Sequence, residues 1–122
     1  MYALLDARDR NHNAAARVFA DLLEAGDLLT HNYVVVETVA LTQHRLGLDA
    51  VRGLDSGLLP AITLAWVEPS THRAALSAVM VSGQRRVSLV DRVSFEVMRE
   101  HDISRAFAFD EDFESEGFAT VP

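Results

Sequence analysis

A chain of 122 residues, 49% of them hydrophobic, suffices for one compact core but not comfortably for two, so a single domain over residues 1–122 is expected. Cysteine is absent, which excludes disulfides, thiolate catalysis and cysteine-ligated zinc together. Eleven basic against 18 acidic residues give a formal net charge of −7, which argues against holding nucleic acid on a broad basic face. Any nucleic-acid contact must be local. All eleven basic residues are Arg, and a coding bias explains this more simply than a need for guanidinium–phosphate pairing. No apolar run reaches the roughly 18 residues of a membrane span. No secretory signal opens the chain, so the cytoplasm is the expected compartment.

In chain order, the first clear helix is predicted from Asn11 to Ala25. Asn11 is its capping residue, Ala15, Val18, Phe19, Leu22 and Leu23 share one face, and Gly26 stops it. A second helix is expected after Asn32, carrying Val36, Val39, Ala40 and Leu46 as far as Gly47, and a shorter third near Asp49. Ile62 to Val67, between Pro60 and Pro69, reads as a strand with Trp66 as a core residue. Thr71 to Val81 returns to helical periodicity. Ser88 opens another helix with Asp91 three residues on, a capping box with Asp in place of the usual Glu. Arg105–Phe109 and Phe118–Val121 read as the last two strands, with the acid-rich turn Asp110–Gly117 between them. Helices alternating with short buried strands favour an α/β fold with a mostly parallel sheet covered on both faces.

Three segments place an acid beside an apolar run: Val34-Val35-Val36-Glu37, Ser88-Leu89-Val90-Asp91 and Phe107-Ala108-Phe109-Asp110-Glu111-Asp112. A carboxylate is costly to desolvate unless it is paired or coordinates a metal, so three in apolar contexts point to one shared site. Ligands of such sheets sit outside the carboxyl ends of the strands, where Asp110 falls. Each acid alone has a simpler role. Glu37 suits a solvated helix face, and Asp91 a helix N-terminus, worth about 0.3–1 kcal/mol through the dipole. Asp110–Glu116 suits an exposed turn. The spacings of His12, His31, His44, His72 and His101 match no zinc signature, and surface or capping roles fit them better.

The order Asp6…Asn11-His12…Ala15, Val36-Glu37-Thr38, Ser88-Leu89-Val90-Asp91 and Phe107-Ala108-Phe109-Asp110-Glu111-Asp112-Phe113…Gly117-Phe118 resembles the PIN-domain family. Within it, the chain is most similar to the VapC-type ribonuclease toxins of bacterial toxin–antitoxin modules. The resemblance covers essentially the whole chain, and the spacing of the three blocks is far more specific than any one of them. It implies a three-layer α/β/α domain, one or two Mg²⁺ or Mn²⁺ ions, and hydrolysis of RNA phosphodiester bonds by metal-activated water. It further implies an antitoxin partner and a homodimer.

Carried over by position, the resemblance makes Glu37, Asp91 and Asp110 the catalytic, metal-binding acids, with Asp112 an additional ligand or a neighbour of the ligands. Ser88 matches a polar position beside the metal, although its role as N-cap suffices by itself. Arg85, Arg86 and Arg92 flank this segment as candidate contacts to the RNA backbone, against a simpler reading as solvated side chains. A hard ion prefers such oxygen ligands. Crowded carboxylates without metal repel one another and tend to take up a proton, so acidic pH is expected to weaken metal binding.

Two departures stand out. The family's opening strand, which delivers a further Asp ahead of a segment like Tyr2-Ala3-Leu4-Leu5-Asp6, has no counterpart because the sequence starts at Met1. A natural polypeptide that begins further upstream is the favoured explanation, since the other acids are intact; a degenerate copy is the alternative. Ala108 stands where many relatives place Thr. The competing function is a PIN-like binding module that dimerises or binds an antitoxin without turning over RNA.

Overall fold

The structure is a computed structural model that describes residues 1–26, 28–109 and 111–121. It divides into two compact units, Met1–Ala65 and Trp66–Pro122.

The first unit opens with one helical turn, α1 (Tyr2–Leu5), followed by α2 (His12–Ala25). Two aspartates organise the link between them, since Asp6 accepts from Arg8 N–H at 3.0 Å and Asp9 from Asn11 N–H at 2.8 Å. Such local side-chain bonds compete with helix and hold a turn open. Asn11 is the residue before α2, as expected, but its side chain makes no capping bond. Gly26 ends the helix in the left-handed region at φ 96°, its N–H donating to Leu22 O at 3.2 Å.

Strand β1 (Leu29–His31) leads directly into α3 (Asn32–Arg45), and α4 (Leu48–Gly53) follows across Gly47. The chain then loosens into a π-helical turn (Leu54–Leu58) and a 3₁₀ turn (Leu59–Ala61), anchored by the fully buried Leu54. Strand β2 (Thr63–Ala65) pairs with β1 in parallel, Leu29 opposite Thr63 and His31 opposite Ala65. β1 is absent from the sequence reading because three residues are too few to show a period of two. β2 is shorter than the expected Ile62–Val67 for a related reason: its partner offers only three residues to pair with. Trp66 is a correction. It lies beyond the end of β2 and is 70% exposed rather than buried in a core.

The second unit begins with α5 (Pro69–Ser82), which has Pro at its first position and Gly83 in the left-handed region after its end. Helix α6 (Leu89–Glu100) carries the predicted capping box: Ser88 Oγ accepts from Asp91 N–H at 3.1 Å, and Asp91 Oδ2 from Ser88 N–H at 3.0 Å. Its other end closes with Asp102 at φ 53°, as Ile103 N–H reaches back to Met98 O at 2.8 Å and Asp102 N–H to Arg99 O at 3.3 Å. That is a Schellman turn with Asp where Gly is usual. It folds Ile103 back onto Met98 in the core and launches β3 (Arg105–Phe107).

The acidic turn contains a single helical turn, α7 (Asp112–Ser115), and β4 (Ala119–Val121) then pairs in parallel with β3. Both strands are shorter than expected, though Ala108 N–H extends the ladder to Val121 O at 3.2 Å. Val87, Phe95, Met98, Ala106 and Phe118 form the core of this unit, with Ile103, Ala108 and Phe113 packed around them. Phe95 is central, meeting Phe113 edge-on at 5.1 Å and stacking on Phe118 at 6.0 Å between ring centroids. Phe95→Ala is expected to lower stability by about 3–5 kcal/mol, read from the urea midpoint at unchanged m-value.

Candidate active site

Glu37 lies in the second turn of α3, in the first unit, with its side chain exposed. Burial pushes the Met1 ammonium below its usual value against the opposing charges of Glu37 and Asp9, so that nitrogen and Glu37 share one neighbourhood. The same unit fixes its N-terminal segment by Tyr2 Oη donating to Asp6 at 2.9 Å, Arg45 lying over the Tyr2 ring at 5.7 Å, and a 2.8 Å contact between His12 Nδ1 and Ala3 O. His12 therefore ties α1 to α2. His31 caps the end of β1 and is buried, which pushes its imidazole down to about 4.

The remaining sequence-designated residues belong to the second unit. Asp91 is held by the capping box through Oδ2, while its Oδ1 takes no part in that pairing. Ser88 thus fixes the rotamer of the acid as well as starting the helix. Asp110 lies outside the described residues. Asp112 opens α7 with its side chain only 9% exposed, and Arg86 Nη2 lies 3.0 Å from its Oδ1. Arg86 sits two residues before Ser88, so this ion pair links the segment leading to Asp91 with the segment following Asp110.

The three arginines differ. Arg85 is exposed, and Arg86 is exposed but turned onto Asp112. Arg92 departs from its expected RNA-facing role. Its side chain is 10% exposed, with Nη1 on Glu116 Oε1 at 3.1 Å, Nη2 on Gln84 Oε1 at 3.0 Å, and the guanidinium over the Phe95 ring at 5.8 Å. Arg99 completes the network, donating to Glu116 Oε2 at 2.9 Å and lying over Phe118 at 5.6 Å. The sequence carried a signal for this: Arg92, Phe95 and Arg99 share the i, i+3, i+7 face of α6, and the acid-rich turn supplies the counter-charge.

These residues offer oxygen donors only, the chemistry that Mg²⁺ and Mn²⁺ prefer. Among the described residues, no group of three or more acidic or histidine side chains is placed to hold an ion. The buried Asp112 carboxylate bears on the fit directly. A positive group already neutralises it, so the position suits a cation in charge as well as in donor type.

Residues 1–118 match the family model described as the PIN domain, and the chain belongs to that family. It is 33% identical over 120 residues to the 23S rRNA-specific endonuclease VapC20 of Mycobacterium tuberculosis, in two strains, covering 98% of this chain and 90% of the relative. The crystal structure of the Mycobacterium tuberculosis VapC20, described as a sarcin-ricin loop cleaving toxin, superposes with a TM-score of 0.85 at 33% identity. That match covers 97% of this chain and 90% of the other. The fold is accordingly the three-layer α/β/α PIN fold, as the sequence implied.

Two outcomes check the structural roles. Arg92→Ala is expected to cost about 1–3 kcal/mol, because Glu116 keeps Arg99 while Gln84 loses its donor, and a urea titration reads this. For His31 the folded value lies below the unfolded 6.5, so the unfolded chain binds the proton first. Its contribution is full above 6.5 and is lost as pH falls towards 4. Stability measured from pH 7 to 4.5 should therefore fall, and His31→Gln should flatten part of that slope.

Proposed function

We propose that this chain is a metal-dependent endoribonuclease toxin of a toxin–antitoxin module. The observation that carries the reading is its 33% identity, over 98% of its length, to a relative named as an rRNA endonuclease. The whole chain acts, on this reading, as one PIN domain, and its substrate class is structured RNA of the ribosomal kind.

Glu37, Asp91, Asp110 and Asp112 are the proposed ligands of a Mg²⁺ or Mn²⁺ ion, with the first three the proposed catalytic acids. A divalent ion held there would lower the pKa of a bound water and offset charge developing on the scissile phosphate. The chain's own residues contribute orientation. Ser88 holds Asp91 Oδ2, so that Oδ1 is presented in a fixed direction. Arg85, exposed in the loop before α6, is the proposed contact to a phosphate of the RNA backbone.

An antitoxin with an Arg- or Lys-rich segment suits the acidic character of the protein, whose net charge is −7. A homodimer and a cytoplasmic location complete the reading. No helix among the described residues is long and apolar enough to cross a membrane.

The test is cleavage of a structured ribosomal RNA fragment in Mn²⁺ or Mg²⁺. EDTA is expected to abolish cleavage, and Asp91→Asn to reduce it by at least ~10²-fold with the fold retained by circular dichroism. Full activity in Asp91→Asn or in EDTA would reject the reading. Tight antitoxin binding with no cleavage in either metal would favour the binding module instead.

A further inference from the structure

Asp112 and Arg86 form an asymmetric pair. The carboxylate side chain is 9% exposed and the guanidinium side chain 77%. A buried carboxylate requires a positive partner, whereas an exposed guanidinium is well solvated without one. Opening the pair therefore costs more on the acid's side than on the arginine's. Arg92 shows the opposite arrangement six residues on. Its side chain is 10% exposed, held by Glu116 and Gln84 and packed over Phe95, so it has no freedom to leave.

We propose that Arg86 is an exchangeable internal cation at the metal-binding acids. With no divalent ion bound it neutralises Asp112; an arriving ion displaces the guanidinium outward, where its planar fork is presented to an RNA phosphate. The pair thus holds the acid-bearing α7 turn in place before loading and passes the arginine to the substrate afterwards. This rests on the reading of Asp112 as a metal ligand. Arg86 is then a positioning residue in the free protein and an RNA contact in the loaded one. Because its own side is exposed, its opposition to the metal is modest, of the size of a surface ion pair.

The test is the affinity of the full chain for Mn²⁺ alone, without RNA, by electron paramagnetic resonance or calorimetry. Arg86→Gln is expected to tighten Mn²⁺ binding by about two- to tenfold. Arg86→Lys, which keeps the charge, should stay near wild type. In an Asp112→Asn background Arg86→Gln should have no effect. Against RNA in saturating Mn²⁺, Arg86→Gln should raise KM with kcat nearly unchanged, a split that a merely structural role would not give. Unchanged or weaker Mn²⁺ binding in Arg86→Gln would overturn the proposal, as would a gain that persists without Asp112. The two readings fail separately. A tightened Mn²⁺ affinity in a protein that cleaves no RNA would support the exchange in metal binding and reject the nuclease, whereas cleavage lost in Asp91→Asn with no change in Mn²⁺ affinity would reject the exchange alone.

Discussion

A carboxylate taken out of water must meet positive charge, and the second unit is arranged around that constraint. The stretch from Asp110 to Glu116 is densely acidic, yet Asp112 is buried and Glu116 half-buried. Each is matched by guanidinium groups from the segment running from the loop before α6 through that helix, Arg86 to Asp112 and Arg92 with Arg99 to Glu116. Phe118, just ahead of the last strand, lies beneath Arg99 and stacks on Phe95. Charge compensation and aromatic packing are one structure here, because both arginines of the Glu116 network lie over core rings.

Helix α6 delivers that charge in register because both of its ends are fixed. The capping box sets where the helix starts, and hence which face carries Arg92, Phe95 and Arg99. The Schellman turn at Asp102 sets where it stops and aims Ile103 into the core immediately before β3. Asp91 takes part in the first of these, so a candidate catalytic acid is also a folding signal. A carboxylate fixed by its own helix start needs no other side chain to orient it, which suits a ligand that must be ready before a metal arrives. The dual role also means that loss of activity in an Asp91 variant has meaning only beside a check of fold.

How much of this was legible in the sequence follows from the range of the interactions involved. The bounds of α2 and α3 and the start of α6 were readable because Gly26, Gly47 and the Ser88–Asp91 spacing act within one turn of the chain. β1 was not readable, since three residues carry no pattern and its existence depends on pairing with β2, some 34 positions away by the Leu29–Thr63 register. Trp66 misled because an apolar residue after a strand resembles a core residue until the strand proves to end at Ala65. Arg92 misled because its partners Gln84 and Glu116 lie eight and 24 positions away, and the helical spacing it shares with Phe95 and Arg99 does not by itself mark a guanidinium as buried. The spacing of the candidate acids was legible. Their environments were not, because the burial of Asp112 is a property of packing.

On the proposed reading, a protein with net charge −7 faces a conflict, since the acids that would hold the metal also repel an RNA substrate. A broad basic face would resolve it by long-range attraction, and this composition argues against one. What remains is local compensation whose strength depends on the state of the site. Arg86 is turned onto Asp112 and offsets its charge; on the proposed reading this withholds the guanidinium from RNA while no metal is bound. If a divalent ion took over that compensation, the arginine would become available and the field at the site would become less negative at the same time. On the proposed reading, metal loading therefore changes both the chemistry of the site and its ability to receive a phosphate. An acidic chain, with 18 acids against eleven arginines, gains from such sharing, because one guanidinium then serves positioning before loading and binding after it.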